Sequence, residues 1–429
     1  MTSAGADLDV AIIGAGAAGL ATAIFAKRAD PAARLAILDG ARQPGAKILV
    51  SGGSRCNVTN TVVTESDFNG GSSAVVRRVL RALPVPATRA FFTGLGVHLR
   101  EEPNGKLFPE SGRSRDVLAA LLAELGRVGA TLRASTRVLD LARTPDAFVV
   151  TTSAGEIRAR AVVLATGGLS LPKTGSDGWG YEAARRFGHR IVPTTPALVP
   201  LVLDATQPAS IHRSLSGVSH PAELDVRVDG ASVARVPGAL LWTHFGLSGP
   251  AALDASRHWL RATLEGGIVE VRASVCPGQT FEAVDRRWTD LARARPRASL
   301  ATVASEYVPA SVAAAMIAAI DLPAARTLAT LGRDDRRRIV HALTEWPLAV
   351  TGSRGYAFAE VTAGGIPLDE IRPATLESRL APGLYFVGEI LDVDGRLGGF
   401  NFQWAWSSAW VAAEALAARR RGSPRCGAS

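Results

Sequence analysis

Cysteine, methionine and lysine are all scarce in this 429-residue sequence, and each scarcity removes a class of protein. The three cysteines, Cys56, Cys276 and Cys426, lie far apart and form no C-x-x-C pair. That excludes a disulfide scaffold and a structural zinc site, and it predicts a reducing, cytoplasmic home with no bound metal. Only Lys27, Lys47, Lys106 and Lys173 are lysines, so the other basic residues are all arginine. The formal net charge of +9 is diffuse, and its densest run is Arg419-Arg420-Arg421. A scattered excess of this kind reads as a solvated surface, and no nucleic-acid partner is expected from it. No basic leader with a small-residue cleavage site opens the chain. The apolar run Val10–Ala26 approaches bilayer length, but glycines punctuate it, so no membrane association is expected. The 47% hydrophobic content excludes a disordered chain, and the length predicts two or three compact units.

What is present begins with "DVAIIGAGAAGLATAIFAKR". A short buried strand (Val10 to Ile13) runs into Gly14, Gly16 and Gly19, spaced G-x-G-x-x-G, and then into a helix opened by Ala17 and Ala18. Gly14 permits a tight turn, Gly16 lets backbone approach a pyrophosphate, and Gly19 lets helix pack on strand. A second strand, "RLAILD", ends at Asp39, twenty residues beyond Gly19, where a carboxylate accepts hydrogen bonds from an adenosine ribose. A third strand, Ala161 to Ala165, delivers Thr166-Gly167-Gly168, a return crossing familiar from FAD domains. Near the C-terminus a strand (Leu384 to Val387) leads through Gly388-Glu389 and a loop to a helix from about Asn401. Gly398, Gly399, Phe400 and Asn401 are thereby placed at the carbonyl edge of a flavin ring. These segments, together with Val138, serve one cofactor, so the FAD domain is discontinuous.

The stretch "GAKILVSGGSRCNVTN" follows the Asp39 strand and is expected to run along the cofactor toward the flavin. Lys47 screens phosphate charge in this reading, and Ser51, Gly52, Gly53 and Asn57 supply compact donors. Cys56 is packed or flavin-adjacent; without a neighbouring cysteine it forms no dithiol couple. FAD is expected to bind non-covalently.

Six segments then carry a resemblance: "GAGAAGL", "GAKILVSGGSRCNVTN", "VLATGGLSLPKTGSDGWGYEAA", "LLWTHFGLSGPAAL", "AEVTAGGI" and "LYFVGEILDVDGRLGGFNFQWAWSSA". In order over residues 9 to 418, the chain resembles the YhiN/BaiN-like flavoproteins, bacterial NAD(P)/FAD-dependent oxidoreductases. Ser54 and Phe400 stand where that family usually has glycine and tyrosine. The resemblance implies an FAD domain with a small β-barrel-like insert that carries a helical sub-insert. One branch of the family is named for reduction of a C=C bond conjugated to a ketone in bile-acid intermediates.

The fold class is therefore α/β: a Rossmann-like, two-dinucleotide-type FAD domain (residues 1–190 and 362–429). A β-rich insert spans 191–276 and 347–361, and a helical sub-insert spans 277–346. The stretch from Ile191 to "GPAALDAS" alternates with period two and reads as strands, whereas "FEAVDRRWTDLARARP" and its successors read as helices. Residues 419–429 are expected to fray. Candidate catalytic groups are His244, Arg354 and Arg396, with Tyr356 beside Arg354; the histidine suits proton donation and the arginines suit an oxyanion. No second G-x-G-x-x-G follows a strand, which leaves NAD(P)H as a transient donor at the flavin face or a different donor altogether. The function expected is FAD-dependent oxidation or reduction of a small organic substrate. FAD-dependent RNA modification and a flavin redox sensor without turnover are the alternatives.

Overall fold

A computed structural model describes residues 7–207 and 210–422; Cys426 and the final residues of the tail lie outside them. The chain divides into two units, one built from residues 1–194 and 360–429 and the other from 195–359.

The first unit is organised by a sheet whose central strands are parallel. The strand Leu8–Ile13 lies between Gly155–Leu164 and Leu35–Leu38, and beyond these lie Leu384–Phe386 and Thr131–Arg133. Register is set by apolar residues that pack on both faces, with Val10 level with Leu35 and Ala161, and Ile13 level with Leu38 and Leu164. Such doubly covered strands read as continuous apolar runs, which is why "VAII" and "AVVL" show no alternation. The helix Ala17–Ala29 lies along the last helix, Phe400–Gly422, with Phe25 edge-on to Trp410 at 5.0 Å. That last helix is buried nearly all round, so each polar group on it must find a partner. Trp404 Nε1 donates to the Gly388 carbonyl, Trp406 Nε1 to the Val58 carbonyl, and Gln403 accepts from Thr59 while donating to Leu83 and Thr88. The expected fraying at Arg419 does not occur. Arg419 pairs with Glu377 at 2.9 Å and Arg420 with Asp30 at 2.7 Å, which hold the helix to Gly422.

The second unit holds a seven-stranded sheet in the order Trp346–Leu348, Val269–Ser274, Ser219–Val228, Ala231–Thr243, Gly246–Ser248, Leu201–Leu203, Val350–Ser353. The two end strands of that order are separated in the chain by Ala349 alone. His220, Ala222, Leu224 and Val226 alternate inward along one long strand. Helices Phe281–Ala294 and Arg333–Thr344 enclose Val284, Trp288, Ile339, Val340 and Leu343. One expectation fails here. "GPAALDAS" is not strand but the start of a sixteen-residue helix, Gly249–Leu264, with Ser248 at its N-cap and Pro250 in its first turn. Pro250 near the start, followed by Ala251, Ala252, Ala255 and Trp259 on the buried side, was the helical signal.

Three buried histidines make the fold sensitive to acid: His212, held low chiefly by burial, and the hydrogen-bonded His189 and His220. His189 is held by Glu370 at Nδ1 and by Ser378 at Nε2, both at 2.8 Å. His220 donates from Nδ1 to the Pro221 carbonyl and accepts at Nε2 from the Trp242 indole N–H. A second proton on His220 would set two donors against each other. Burial holds both groups below the ordinary histidine value; at His189 the Glu370 carboxylate pulls the other way. A lowered folded-state value means the unfolded chain takes the proton first. Stability is therefore complete above about pH 6.5 and declines as pH falls through the folded values. The urea midpoint is expected to be lower at about pH 5 than at about pH 7.5, with a smaller drop in a His189→Gln/His220→Gln variant. Equal drops in variant and parent would contradict this assignment.

Candidate cofactor site

The glycine fingerprint sits where strand Leu8–Ile13 meets helix Ala17–Ala29. Gly14 has φ +103°, and a Cβ there would stand 2.5 Å from the Ala165 carbonyl oxygen, so only glycine fits between the neighbouring strand ends. Gly19 is equally constrained, because a Cβ would run into the Gly14 carbonyl. Gly16 differs: its φ of −78° suits any residue, and a Cβ would meet nothing within 4 Å. It faces open space at a helix N-terminus that has no side-chain cap and no acid in its first turn. Free N–H groups of this kind suit a phosphate. Asp39 accepts from the Ala15 amide at 2.6 Å and the Ala41 amide at 2.7 Å. These bonds fix the carboxylate at the strand end, and two oxygens still have lone pairs for ribose hydroxyls.

The segment after Asp39 is more structured than its glycines suggested. Ala46–Ser54 begins as a helix, and then Gly52, Gly53 and Ser54 all take left-handed conformations, with φ of 55°, 67° and 65°. A Cβ on Gly53 would meet nothing within 4 Å. Asn57 is buried, and its Oδ1 has no hydrogen-bond partner among the described residues. Leaving such an atom unpaired is costly, so a ligand donor at this position answers a real deficit.

One expectation in this region is corrected. Lys47 does not stand free to screen phosphates. Its ammonium is bound by Glu389 and by Ser170, both at 2.5 Å, while Ser170 Oγ donates to Glu389 at 2.7 Å. Glu389 also accepts from the Thr362 amide, and Thr362 Oγ1 accepts from the Leu169 and Ser170 amides. Lys47 and Glu389 thus clamp chain segments 342 residues apart. Cys56 is fully enclosed in the core, and burial pushes its thiol up to about 12, against a smaller lowering by the Ser51 hydroxyl. A thiol in that setting is packing, not redox chemistry. Ser170 and Thr362 were missed, because no local pattern marks a hydroxyl whose partner is distant in the chain.

On the return strand, Thr166 and Gly167 are half-buried and Gly168 is buried, with a Cβ on Gly168 only 3.0 Å from Glu389 Oε1. At the far end of the chain, Gly388 (φ +75°) donates to Ser408 Oγ, and a Cβ there would approach Ala18 at 2.8 Å. Gly398 and Gly399 have φ of +141° and +91° immediately before the helix Phe400–Gly422. Asn60, which the sequence did not single out, donates to the Gly398 carbonyl at 3.1 Å. Phe400 is fully buried rather than open at a ring edge. The Asn401 amide is occupied by Gly395, donating to its carbonyl and accepting from its N–H, both at 2.8 Å. Val138 is buried at the start of the strand Val138–Arg143. Arg396 pairs with Asp67 at 2.7 Å and lies over the Phe400 ring, so its charge is already matched.

The remaining catalytic candidates belong to the other unit. Exposed His244 and half-buried Phe245 form the turn between Ala231–Thr243 and Gly246–Ser248. Arg354 follows the strand Val350–Ser353, and Tyr356 lies in the short turn Tyr356–Phe358. His244 and Arg354 both touch Phe245. Arg396 is in the first unit.

The first unit fits a dinucleotide: an uncapped helix N-terminus, open space at Gly16 and Gly53, and an orphaned Asn57 oxygen. A family model described as the HI0933-like protein Rossmann domain matches residues 8–415. The chain belongs to the HI0933-like family. This HI0933-like protein is 33% identical over 416 residues to a "Ribosomal RNA dihydrouridine synthase" of Escherichia coli, covering 96% of this chain and 98% of that one. It is 32% identical over 410 residues to a "3-dehydro-bile acid delta(4,6)-reductase" of Clostridium scindens, covering 96% and 99%. Among solved structures it resembles the open conformation of a flavocytochrome c3 fumarate reductase, with TM-score 0.50 and 16% identity over 97% of this chain and 79% of that chain. That likeness concerns fold alone. The HI0933-like protein is an FAD-dependent oxidoreductase with a mixed α/β, Rossmann-type FAD domain. Among the described residues, no helix is long and apolar enough to cross a membrane.

Proposed function

We propose that this protein reduces a carbon–carbon double bond conjugated to a carbonyl group. One observation carries the reading: the chain matches, end to end and at nearly equal identity, relatives named for two different substrates. Dihydrouridine is uridine with two hydrogens added across a ring C=C conjugated to a carbonyl. A Δ4,6-reductase acting on a 3-oxo steroid adds hydrogens to a double bond in the same electronic setting. The substrates differ and the bond chemistry is shared.

FAD, when bound, supplies the hydride for such a step, and NAD(P)H is the donor we propose for its reduction. The protein's own residues hold and orient. The amides at the start of helix Ala17–Ala29 take the pyrophosphate, and Asp39 takes the ribose. The left-handed turn Gly52–Ser54, Asn57, Gly398 and Gly399 take the flavin end. His244 is exposed and hydrogen-bonded to nothing among the described residues, which leaves its ring free for proton transfer. A barrel-like insert with a helical sub-insert also belongs to this reading, supported by end strands that only Ala349 separates.

A small organic acceptor is the first substrate class; uridine within ribosomal RNA is the second, favoured by the name of the Escherichia coli relative. Photoreduced holoprotein is to be incubated without oxygen with a 3-oxo-Δ4 steroid acid and, separately, with an unmodified ribosomal RNA transcript. Mass spectrometry is expected to find one of them heavier by two hydrogens. If neither gains hydrogen while the flavin is bound and reduced, the proposal fails.

A further inference from the structure

The unit spanning 195–359 holds an arginine in a setting that no part of the cofactor site uses. The Arg354 guanidinium carbon lies 4.6 Å from the Phe245 ring centroid and 3.9 Å from the Phe358 centroid. Its backbone amide donates to Pro200, and Gly355 (φ +70°) turns the chain so that Tyr356–Phe358 folds back toward the guanidinium. The strand Leu201–Leu203 pairs with Gly246–Ser248 on one edge and Val350–Ser353 on the other, which brings the two phenylalanines into reach.

Rings at these distances meet the flat group of the guanidinium, not its N–H donors one by one. All five N–H donors lie in the plane of the group, so stacking satisfies none of them. Among the described residues no carboxylate or other acceptor meets them. Two other half-buried arginines are paired: Arg336 with Asp285, and Arg272 with Glu270 and Glu345. A rigid, partly desolvated fork with free donors is suited to two oxygens of one oxyanion. Phe358 is 50% exposed, one of few large apolar side chains left open. A flat ring can lie on it.

We propose that Arg354, Phe245 and Phe358 form a binding site for an oxyanion, carboxylate or phosphate, carried on a flat, ring-bearing molecule. This deepens the reading of the protein as a reductase of conjugated C=C bonds and rests on it for the choice of probes. Binding is measured apart from turnover, so the two ideas fail separately.

The test uses two matched pairs with the FAD-loaded protein: a steroid enone carboxylic acid against its methyl ester, and uridine 5′-monophosphate against uridine. Dissociation constants are read by calorimetry. In the parent protein the charged member of at least one pair is expected to bind about tenfold more tightly than its neutral partner. Arg354→Met keeps the stacked volume and removes the donors. It is expected to abolish that preference while leaving the neutral compound's affinity within about twofold. Arg354→Lys restores charge without the fork and is expected to recover only part of it. The pair that shows the effect identifies the source, ring acid or nucleotide. The proposal is overturned if neither pair shows a charge preference in the parent, or if the preference survives Arg354→Met in a protein with unchanged flavin content and circular dichroism.

Discussion

Gly16→Asp is expected to leave the protein folded and colourless. The substitution is sterically free, since a Cβ at Gly16 meets nothing within 4 Å and the local φ of −78° suits any residue. Aspartate is also a favoured N-cap, and a negative charge at a helix N-terminus is stabilising. Stability without flavin should therefore hold or rise. The same carboxylate would occupy the amides that a pyrophosphate needs and would repel it. At the close range of a phosphate contact, like-charge repulsion of about 3 kcal/mol lowers FAD affinity by roughly a hundredfold. Purified variant and parent are compared by flavin content and thermal unfolding after flavin removal. A variant that retains stoichiometric FAD would show that this helix end does not hold the cofactor. Gly14→Ala makes the contrasting case, because its Cβ collides with Ala165 and its φ is left-handed, so folding and binding are expected to suffer together.

The second large effect is expected from Glu389→Ala. The Lys47–Glu389 pair is mostly buried, with side-chain exposures of 24% and 17%, and Ser170 and Thr362 complete its hydrogen bonding. Removing the carboxylate strands a half-buried ammonium and unties the loop after strand Gly155–Leu164 from the helix Ala46–Ser54. Breaking a fully buried pair costs more, but water reaches this one, so we expect a loss of about 2 kcal/mol. Replacing both partners together, as Lys47→Met/Glu389→Leu, should recover much of that loss, because no charge is left unpaired. Urea unfolding of the two single variants and the double variant measures it. Additive losses in the double variant would contradict a direct pair. Flavin content should fall in Glu389→Ala as well, since the clamp fixes elements on both sides of the glycine fingerprint.

The parts of this structure that follow from local periodicity were readable in the sequence. The spacing of Gly14, Gly16 and Gly19 between a strand and a helix dictates a turn in which Gly14 and Gly19 admit no side chain, and the structure shows that turn. Leu384–Phe386 pairs in parallel with the strand that delivers Thr166, so distant parts of the chain share one sheet. Less accessible was anything decided by the distant partner of a flexible side chain. Lys47 has four rotatable carbons and reaches whichever acceptor the fold supplies; only tertiary structure shows that Glu389 is that acceptor. Cys56 sits among polar and small residues in sequence yet points into the core, since Gly52 and Gly53 reverse the backbone just before it. The contacts of Arg354 with Phe245 and Phe358 belong to the same class. Phe245 and Phe358 are ordinary turn residues until the strand Leu201–Leu203 brings their loops together. The helix Gly249–Leu264 is a different kind of miss: its start signal was present and the preceding alternation was allowed to run too far.

Oxidation of the bound flavin by a conjugated acceptor tests the account most directly. Holoprotein is photoreduced without oxygen and mixed in a stopped-flow cell with an α,β-unsaturated carbonyl compound, a uracil-containing RNA, or the saturated counterpart of each. The account predicts that the visible flavin band returns with one of the unsaturated acceptors, in step with formation of the dihydro product, and stays bleached with both saturated compounds. A flavin that stays reduced with every conjugated acceptor, yet reoxidises with oxygen, would contradict it.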